Sequence, residues 1–282
     1  MNDQQARLAD GVFYRHWPAS GSVRGVILLA HGLGEHSGRY QGLAEFFCPR
    51  GIAVVAPDHF GHGHSPGHRA HIGNFAEFLQ PLLQLRALIA QWYPSAPCFL
   101  LGHSLGGLIA ARLLLDAQDQ FAGAALSAPA LAVAEPPSPL LLWLNRVLAR
   151  LWPTLGMLKL DASQVSRDPE VVAAYEADPL VHHGKVSARL VAELFATMEQ
   201  VNVHSRAPGR AVAALDPAAA AAARRSGCDD GARRLTGFQR GGRFCRCHPA
   251  PVSGPVPRDL QRAGTSAGAG RSRPMVAAAP AA

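Results

Sequence analysis

Short apolar runs alternate with longer stretches of helical periodicity along residues 1–206. The clearest strand candidates are four apolar runs: Gly25–Ala30, Gly51–Ala56, Cys98–Leu101 and Ala122–Leu126. This alternation predicts an α/β fold in which a mostly parallel sheet is flanked by helices. Because catalytic and ligand-binding groups of such sheets lie at the carboxyl ends of the strands, we expect the chemistry in the loops that follow these runs.

The loop after the third run contains a Gly-x-Ser-x-Gly motif. Gly102-His103-Ser104-Leu105-Gly106 lies between the strand that ends at Leu101 and the helical run 108–115. A nucleophile elbow requires this strand-turn-helix context, since the glycines allow a cramped turn that lifts the serine hydroxyl above the sheet. The motif therefore predicts Ser104 as a catalytic nucleophile. The simpler alternative is an ordinary Gly-Ser turn.

A nucleophilic serine that transfers acyl groups also needs N–H donors for the oxyanion. These are normally the amide after the nucleophile and an amide from the loop after an earlier strand. The loop His31-Gly32-Leu33-Gly34 follows the first apolar run and fits that position. The sequence thus predicts an oxyanion hole formed by the backbone N–H groups of Leu33 and Leu105.

Four blocks of sequence together resemble the monoacylglycerol lipase and lysophospholipase branch of the α/β-hydrolases. They are residues 31–40 (HGLGEHSGRY), residues 58–67 (DHFGHGHSPG), the Ser104 motif, and residues 166–180, which are similar to the cap domain of that branch. The likeness covers about residues 8–206. It implies hydrolysis of the carboxylic ester of a single-chain lipid, monoacylglycerol or lysophospholipid, through an acyl-serine and without a cofactor. A peptidase or thioesterase on the same scaffold is the remaining enzymatic alternative.

The resemblance also implies a domain organisation and a set of substrate contacts. Residues 1–134 would form the α/β-hydrolase core and residues 135–203 a helical cap, leaving residues 204–282 as a low-complexity tail in place of the end of the core. Polar side chains that match Glu35, Arg39 and Tyr175 lie near the head-group end of the substrate in this family. We expect these three residues to bind substrate here.

One segment of the predicted cap is strongly apolar. Residues 140–152 (LLLWLNRVLARLW) carry Arg146 and Arg150 four positions apart, so the arginines could snorkel while the apolar face contacts acyl chains or a bilayer surface. A buried core helix is the alternative. The arginines and Asn145 argue against a membrane span, and Met1–Gln5 lacks the basic start and apolar run of a secretory signal. We expect a cytoplasmic protein, with peripheral membrane contact through the cap left open.

Two other features of this region could indicate a metal site or a reactive thiol, and the sequence favours neither interpretation. Histidines 59, 62, 64, 68 and 71 are crowded, have no carboxylate or cysteine partner beyond Asp58, and are interrupted by Gly and Pro, so no metal site is predicted. Cys48 and Cys98 have apolar neighbours and are expected to be inert core residues.

The net charge of +7 belongs entirely to the tail. Residues 207–282 hold 12 Arg and 4 Asp with no Lys or Glu, which is +8 and leaves −1 for the rest of the chain. The tail also contains 20 Ala and no Ile, Tyr or Trp, a composition unsuited to strands or an ordinary core. Lacking Lys and interleaved aromatic residues, it does not predict a nucleic-acid partner.

The tail also lacks the motifs that would supply the triad acid and base. Asp229, Asp230 and His248 lie in roughly the right region, but no apolar strand precedes them. Read one nucleotide later with permissible third bases, the codons of residues 244–259 encode a Tyr-His-Glu motif, and those after the alanine run 218–223 encode an acid loop. We therefore hypothesise a frameshift between Arg206 and Asp216, with the acid at the codon of Gly227 and the base at that of Pro257.

The frameshift hypothesis has two consequences. The chain as written would lack the C-terminal strands and helix of the fold. It would also lack the triad Asp and His, so we expect it to be nearly inactive. A lipid-binding pseudoenzyme or decayed gene product is accordingly the alternative to an active hydrolase.

Overall fold

A computed structural model describes residues 3–133, 137–159, 161–162, 165–166 and 168–205. In the sheet-bearing part, six strands and three helices follow one another along the chain. They are β1 (Gln4–Arg7), β2 (Phe13–Trp17), β3 (Gly25–Ala30), α1 (Gln41–Phe47), β4 (Ile52–Pro57), α2 (Ala76–Trp92), β5 (Cys98–His103), α3 (Leu105–Ala117) and β6 (Gly123–Ser127). Short 3₁₀ turns occupy Ser37–Tyr40, Cys48–Arg50 and Gln118–Gln120.

The strands form one sheet in the order β1-β2-β4-β3-β5-β6. Strands β4, β3, β5 and β6 are parallel, with Leu28 of β3 paired with Val55 and Leu100 on its two sides. Strands β1 and β2 add to the β4 edge in antiparallel orientation. The predicted α/β architecture is confirmed. The predicted loss of C-terminal strands concerns residues outside the described part of the chain.

Apolar residues on both faces of the sheet are buried. Leu28 belongs to the larger apolar cluster, which includes helices α2 and α3, and its neighbour Leu29 belongs to a second cluster with Trp17 and Ala44. Successive residues of a strand point to opposite faces, so β3 is apolar at every position and buried throughout. Continuous apolar runs are expected for parallel strands covered by helices on both sides.

A mostly helical region follows β6. It comprises α4 (Pro139–Leu151), β7 (Gly156–Lys159), α5 (Pro169–Ala177), β8 (Lys185–Ser187) and α6 (Ala188–Ser205), with β7 and β8 paired as an antiparallel ribbon. Two of these helices begin with a side-chain cap followed by proline at the first turn: Ser138 accepts the N–H of Leu141, and Asp168 accepts that of Glu170. Helix α6 packs against both α3 and α4.

Helix α4 presents an apolar face to solvent. Asn145 and Ala149 are buried, whereas Leu140, Trp143 and Trp152 are 71%, 59% and 61% exposed. The helix is therefore amphipathic, and among the described residues nothing covers its apolar side, so it is not a buried core helix there. Within the described ranges, every helix is too short or too polar to span a bilayer.

Candidate active site

Ser104 lies at a strained turn between β5 and α3. Its backbone has φ 52° and ψ −115°, a conformation that L-residues rarely adopt and that surrounding bonds must enforce. Its N–H donates to the Ser127 carbonyl at 3.0 Å, and its own carbonyl accepts the N–H groups of Gly107 and Ala130, both at 3.0 Å. The side chain is partly exposed. The elbow geometry that the motif predicts is present.

Glycines allow α3 to begin directly against the sheet. A Cβ on Gly106 would collide with the carbonyl oxygen of Ala30, and one on Gly102 would collide with that of Gly106. This contact joins the start of α3 to the end of β3. Gly32, just after β3, is brought so near that a Cβ on it would lie 3.5 Å from the Cβ of Ser104.

The two amides predicted to form the oxyanion hole flank this contact. Leu105 is the first residue of α3, where N–H groups have no acceptor within the helix. Leu33 follows Gly32 in the adjacent loop. In the described part of the chain, neither N–H is bonded to a protein acceptor. Their assignment to an oxyanion hole stays a prediction.

Glu35 holds the loop that contains Gly32. Its Oε1 accepts the N–H of Gly32 at 2.5 Å and the hydroxyl of Tyr40 at 2.7 Å, while its Oε2 lies 3.3 Å from Nε of Arg39. Burial and the neighbouring Glu35 carboxylate raise the pKa of Tyr40, so Tyr40 stays protonated and remains a donor. The Glu35 carboxylate is thus engaged on both oxygens.

Three contacts tie this loop to the mostly helical region that follows β6. The Arg39 guanidinium lies over the ring of Tyr175 at 4.8 Å, Nε2 of His36 donates to Asp178 at 2.9 Å, and the His182 N–H donates to the Gly34 carbonyl at 2.7 Å. Burial, together with Glu35, raises the pKa of Tyr175. The structure therefore brings Glu35, Arg39 and Tyr175 into one cluster. Their role as substrate contacts stays a prediction.

Asp58 organises the second loop beside the site. It is fully buried; its Oδ1 accepts the N–H of Ser37 at 2.8 Å and the Ser37 hydroxyl at 2.5 Å, and its Oδ2 accepts the N–H of His64 at 2.8 Å. A Cβ on Gly63 would collide with the same carboxylate. Asp58 therefore fixes the loop, a role that sequence analysis did not assign.

The crowded histidines bond to protein groups. Nδ1 of His62 donates to the Phe60 carbonyl at 3.0 Å, Nδ1 of His68 lies 3.2 Å from the Arg69 carbonyl, and Nδ1 of His71 lies 2.9 Å from the Ser187 hydroxyl. Burial lowers the pKa of His62 to about 4. Across the described residues, no group of three or more ligating side chains is arranged to hold a metal ion.

The two cysteines of the core are free thiols in buried positions. Sγ of Cys48 donates to the Trp17 carbonyl at 3.4 Å. Burial raises the pKa of Cys98 to about 11. Because the thiolate is the reactive form, both side chains fit the expectation of inert core residues.

Comparison with known proteins decides the family. The profile described as serine aminopeptidase, S33 (Hydrolase_4) matches residues 21–208, two thirds of the sequence. The chain belongs to this family. Together with the relatives described next, this match confirms the resemblance to the monoacylglycerol lipase branch of the α/β-hydrolases and the class of serine ester hydrolase.

Curated relatives and solved structures agree with this family. A monoacylglycerol lipase of Mycolicibacterium smegmatis is 39% identical over 73% of this chain and 71% of its own length, and the monoglyceride lipase of Rattus norvegicus is 36% identical over 68% and 65%. The crystal structure of Paleococcus ferrophilus monoacylglycerol lipase is 34% identical, with a TM-score of 0.63 over 73% of this chain and 76% of that one. The chain thus spans about two thirds of the length of these curated relatives.

A serine nucleophile needs a histidine base within hydrogen-bond reach, and the described hydrogen bonds include none from a histidine to Ser104. His103 directs Nδ1 to the Ser127 hydroxyl at 3.3 Å, and His36 is bonded to Asp178. No histidine of the described ranges hydrogen-bonds to Ser104. The sequence candidates Asp229, Asp230 and His248 lie outside the described residues.

Proposed function

We propose that Ser104 is the nucleophile of a hydrolase acting on the carboxylic ester of a single-chain lipid, monoacylglycerol or lysophospholipid. The observation that carries the proposal is the strained Ser104 elbow next to two N–H groups that have no acceptor among the described residues. The Ser104 oxygen would lose its proton to a base and add to the ester carbonyl, and the resulting oxyanion would accept hydrogen bonds from Leu33 and Leu105. Collapse breaks the ester C–O bond, the leaving oxygen takes up that proton as the alcohol, and the acyl-serine that remains is hydrolysed by water to the fatty acid and free Ser104.

The lipid character of the substrate rests on two supports. The curated relatives carry the names monoacylglycerol lipase and monoglyceride lipase. The exposed apolar face of α4, with Leu140 and Trp143 on the helix and Trp152 directly after it, suits acyl chains or a membrane surface. Arg146 and Arg150 on the same helix are exposed and would contact anionic head groups. We therefore propose a cytoplasmic enzyme that contacts membranes peripherally through α4.

The polar end of the substrate would face the cluster of Glu35, Arg39 and Tyr175. Its Arg39 guanidinium is ion-paired with Glu35 and stacked on Tyr175, so its position is fixed without a bound ligand. A fixed guanidinium donates to hydroxyl or phosphate oxygens at little entropic cost. Product analysis with glycerol, phospholipid, peptide and thioester substrates separates the lipase proposal from a peptidase or thioesterase.

A catalytically inactive lipid-binding protein is the second candidate. The observation in its favour is the lack of any described histidine bonded to Ser104. Loss of triad members leaves about 10³–10⁴-fold acceleration over water and lowers kcat by roughly 10⁶. We attribute that loss to a frameshift between Arg206 and Asp216. The active hydrolase is then the product of the original reading frame, and the inactive protein is the product of the shifted frame.

The deciding experiment compares the full chain as written with a chain in which the frame is restored. We expect a fluorophosphonate probe to label the restored chain rapidly and the written chain slowly, with restored hydrolysis of monoacylglycerol about 10⁶-fold faster. Ser104→Ala in either background should abolish labelling. Folding is checked by circular dichroism, and sequencing the DNA across codons 200–285 tests the frame itself.

Three results would contradict these proposals. Labelling that persists in Ser104→Ala would exclude Ser104 as the nucleophile. Full turnover by the written chain would show that its own residues supply the base. An intact frame that encodes the tail as written, with a matching protein mass, would exclude the frameshift.

A further inference from the structure

The two peptide units that flank Gly32 have four polar groups, and three of them are bonded within the protein. The His31 carbonyl accepts Nε2–H of His59 at 3.1 Å, the Gly32 N–H donates to Glu35 at 2.5 Å, and the Gly32 carbonyl accepts from Nδ1 of His31 at 2.8 Å. The fourth group is the N–H of Leu33. Leu33 is only partly buried, and its N–H has no acceptor among the described residues, so this amide beside the nucleophile can donate to a ligand.

The bonds of the His31 ring fix its tautomer. Nε2 lies 2.9 Å from the backbone nitrogen of His59. Because a backbone N–H can only donate a hydrogen bond, Nε2 must be the acceptor. The ring proton of the neutral imidazole is therefore on Nδ1, where it donates to the Gly32 carbonyl. Complete burial and the neighbouring His62 hold the pKa of His31 well below its usual value. The ring is thus a permanent donor to that carbonyl.

We infer that His31 is a positioning residue for the oxyanion hole, because its Nδ1–H holds the Gly32 carbonyl and thereby aims the Leu33 N–H. The two groups belong to one peptide unit. No peptide bond in the described structure is cis, so the carbonyl and the N–H of that planar unit point in opposite directions. Fixing one end of the unit fixes the other. This inference rests on the proposed function of Ser104.

His31 also has a structural role, and a test must distinguish this role from the positioning of the Leu33 N–H. Through Nε2 and its own carbonyl it joins the end of β3 to His59 after β4, which is a purely structural tie. The two roles use opposite ring nitrogens. Asparagine places an amide N–H near the position of Nδ1, whereas glutamine places its amide near the position of Nε2. The variants His31→Asn and His31→Gln therefore retain one role each.

The experiment uses the frame-restored full chain, because the chain as written should label only slowly, and measures the rate of fluorophosphonate labelling of Ser104 together with hydrogen exchange at the Gly32 amide. Deleting an oxyanion-hole donor costs 10²–10³-fold, so we expect His31→Gln to slow labelling by about tenfold to a hundredfold and His31→Asn by only a few-fold. His31→Gln should also speed exchange at Gly32, since release of the adjoining Gly32–Leu33 peptide unit loosens the Gly32 backbone and weakens its N–H bond to Glu35.

His68 provides the matched control. Its Nδ1 faces the carbonyl of the next residue, Arg69, just as His31 faces Gly32, but His68 is exposed. His68→Asn and His68→Gln should leave both readouts unchanged. Equal behaviour of His31→Asn and His31→Gln, or a larger loss in His31→Asn, would overturn the inference in favour of the structural tie.

The two readouts also separate this inference from the proposed function. Failure to label even the unsubstituted chain would count against an activated Ser104, and exchange at Gly32 would then decide the positioning role alone. Labelling of the unsubstituted chain with identical rates in both His31 variants would leave Ser104 as the nucleophile and exclude His31 as the residue that aims Leu33.

Discussion

Two regions, the loops beside Ser104 and the helix α4, depart in opposite ways from the usual pattern of apolar residues inside and polar residues outside. In the loops, polar side chains are inside: His31, Ser37, Asp58 and His59 are fully buried. On α4, large apolar side chains are outside, with Leu140 and Trp143 among the most exposed. Buried polar groups and exposed apolar patches are the informative exceptions in a soluble protein. Each of these two regions therefore needs its own explanation.

The difference between the regions lies in where their partners are. The buried polar groups of the loops bond to one another: Asp58 to Ser37, and His31 to His59. The exposed side chains of α4 have no comparable partner in the described residues. We conclude that internal hydrogen bonds hold the loops of the site in place, whereas α4 has a surface for a partner outside the described part of the chain, which we propose is lipid.

The largest effect on stability should come from adding a methyl group where packing beside the site is tightest. Gly106→Ala forces a Cβ against the Ala30 carbonyl, so we expect a loss of about 3 kcal/mol in the free energy of unfolding. Gly42→Ala on α1 is the matched control, since a Cβ there meets nothing within 4 Å and should stabilise the helix by up to about 1 kcal/mol. Urea denaturation measures both. Equal effects would show that α3 does not pack as closely as described.

A smaller effect is expected from acidification, because the loop histidines are buried in the neutral form. The pKa of His62 falls from 6.5 to about 4 on folding, so the unfolded chain binds the proton more tightly. Stability is then complete above pH 6.5 and is lost as the pH falls from 6.5 towards 4, by up to about 1.4 kcal/mol per pH unit. Burial likewise lowers the pKa of His31 and His59, which adds to the slope.

The measurement is urea denaturation at a series of pH values. His62→Gln should flatten part of the pH dependence, while His64→Gln, an exposed neighbour in the same loop, should not. A curve for His62→Gln that is parallel to that of the unsubstituted chain would contradict a neutral buried His62.

Sequence analysis found the parts of the fold that local pattern determines. Strand β3 has the predicted bounds, Gly25–Ala30, because a fully buried parallel strand is a continuous apolar run. The Ser104 elbow was predictable because its glycines are required by close backbone contacts. The strand pair β1 and β2 was missed, since Gln4–Arg7 is polar and exposed. Its available signal was the Asp10-Gly11 turn, where Gly11 has φ 83°.

The sequence indicated candidate site residues one by one but not the hydrogen-bond network that joins them. The likeness singled out Glu35, Arg39 and Tyr175 without indicating that Glu35 bonds to the backbone of Gly32. The role of His31 depends on His59, 28 positions away, and a tautomer set by tertiary contact has no local sequence signature. Such roles can be recognised only when the hydrogen-bond partners of each polar group are known, and this requires the three-dimensional structure.

The smallest effect on stability is expected at α4, the region with exposed apolar side chains. The same substitutions test whether this surface binds lipid. Leu140→Ser with Trp143→Ser removes exposed apolar side chains, so we expect the free energy of unfolding to change by less than about 0.5 kcal/mol. Each side chain would contribute about 2 kcal/mol when buried in lipid, so binding to vesicles of phosphatidylglycerol and phosphatidylcholine should weaken more than tenfold. Phe46→Ser, an exposed aromatic position on α1, is the control in cosedimentation. Unchanged vesicle binding by the double variant would mean that α4 does not bind the membrane surface. Its apolar face would then contact the acyl chains of the substrate or another partner.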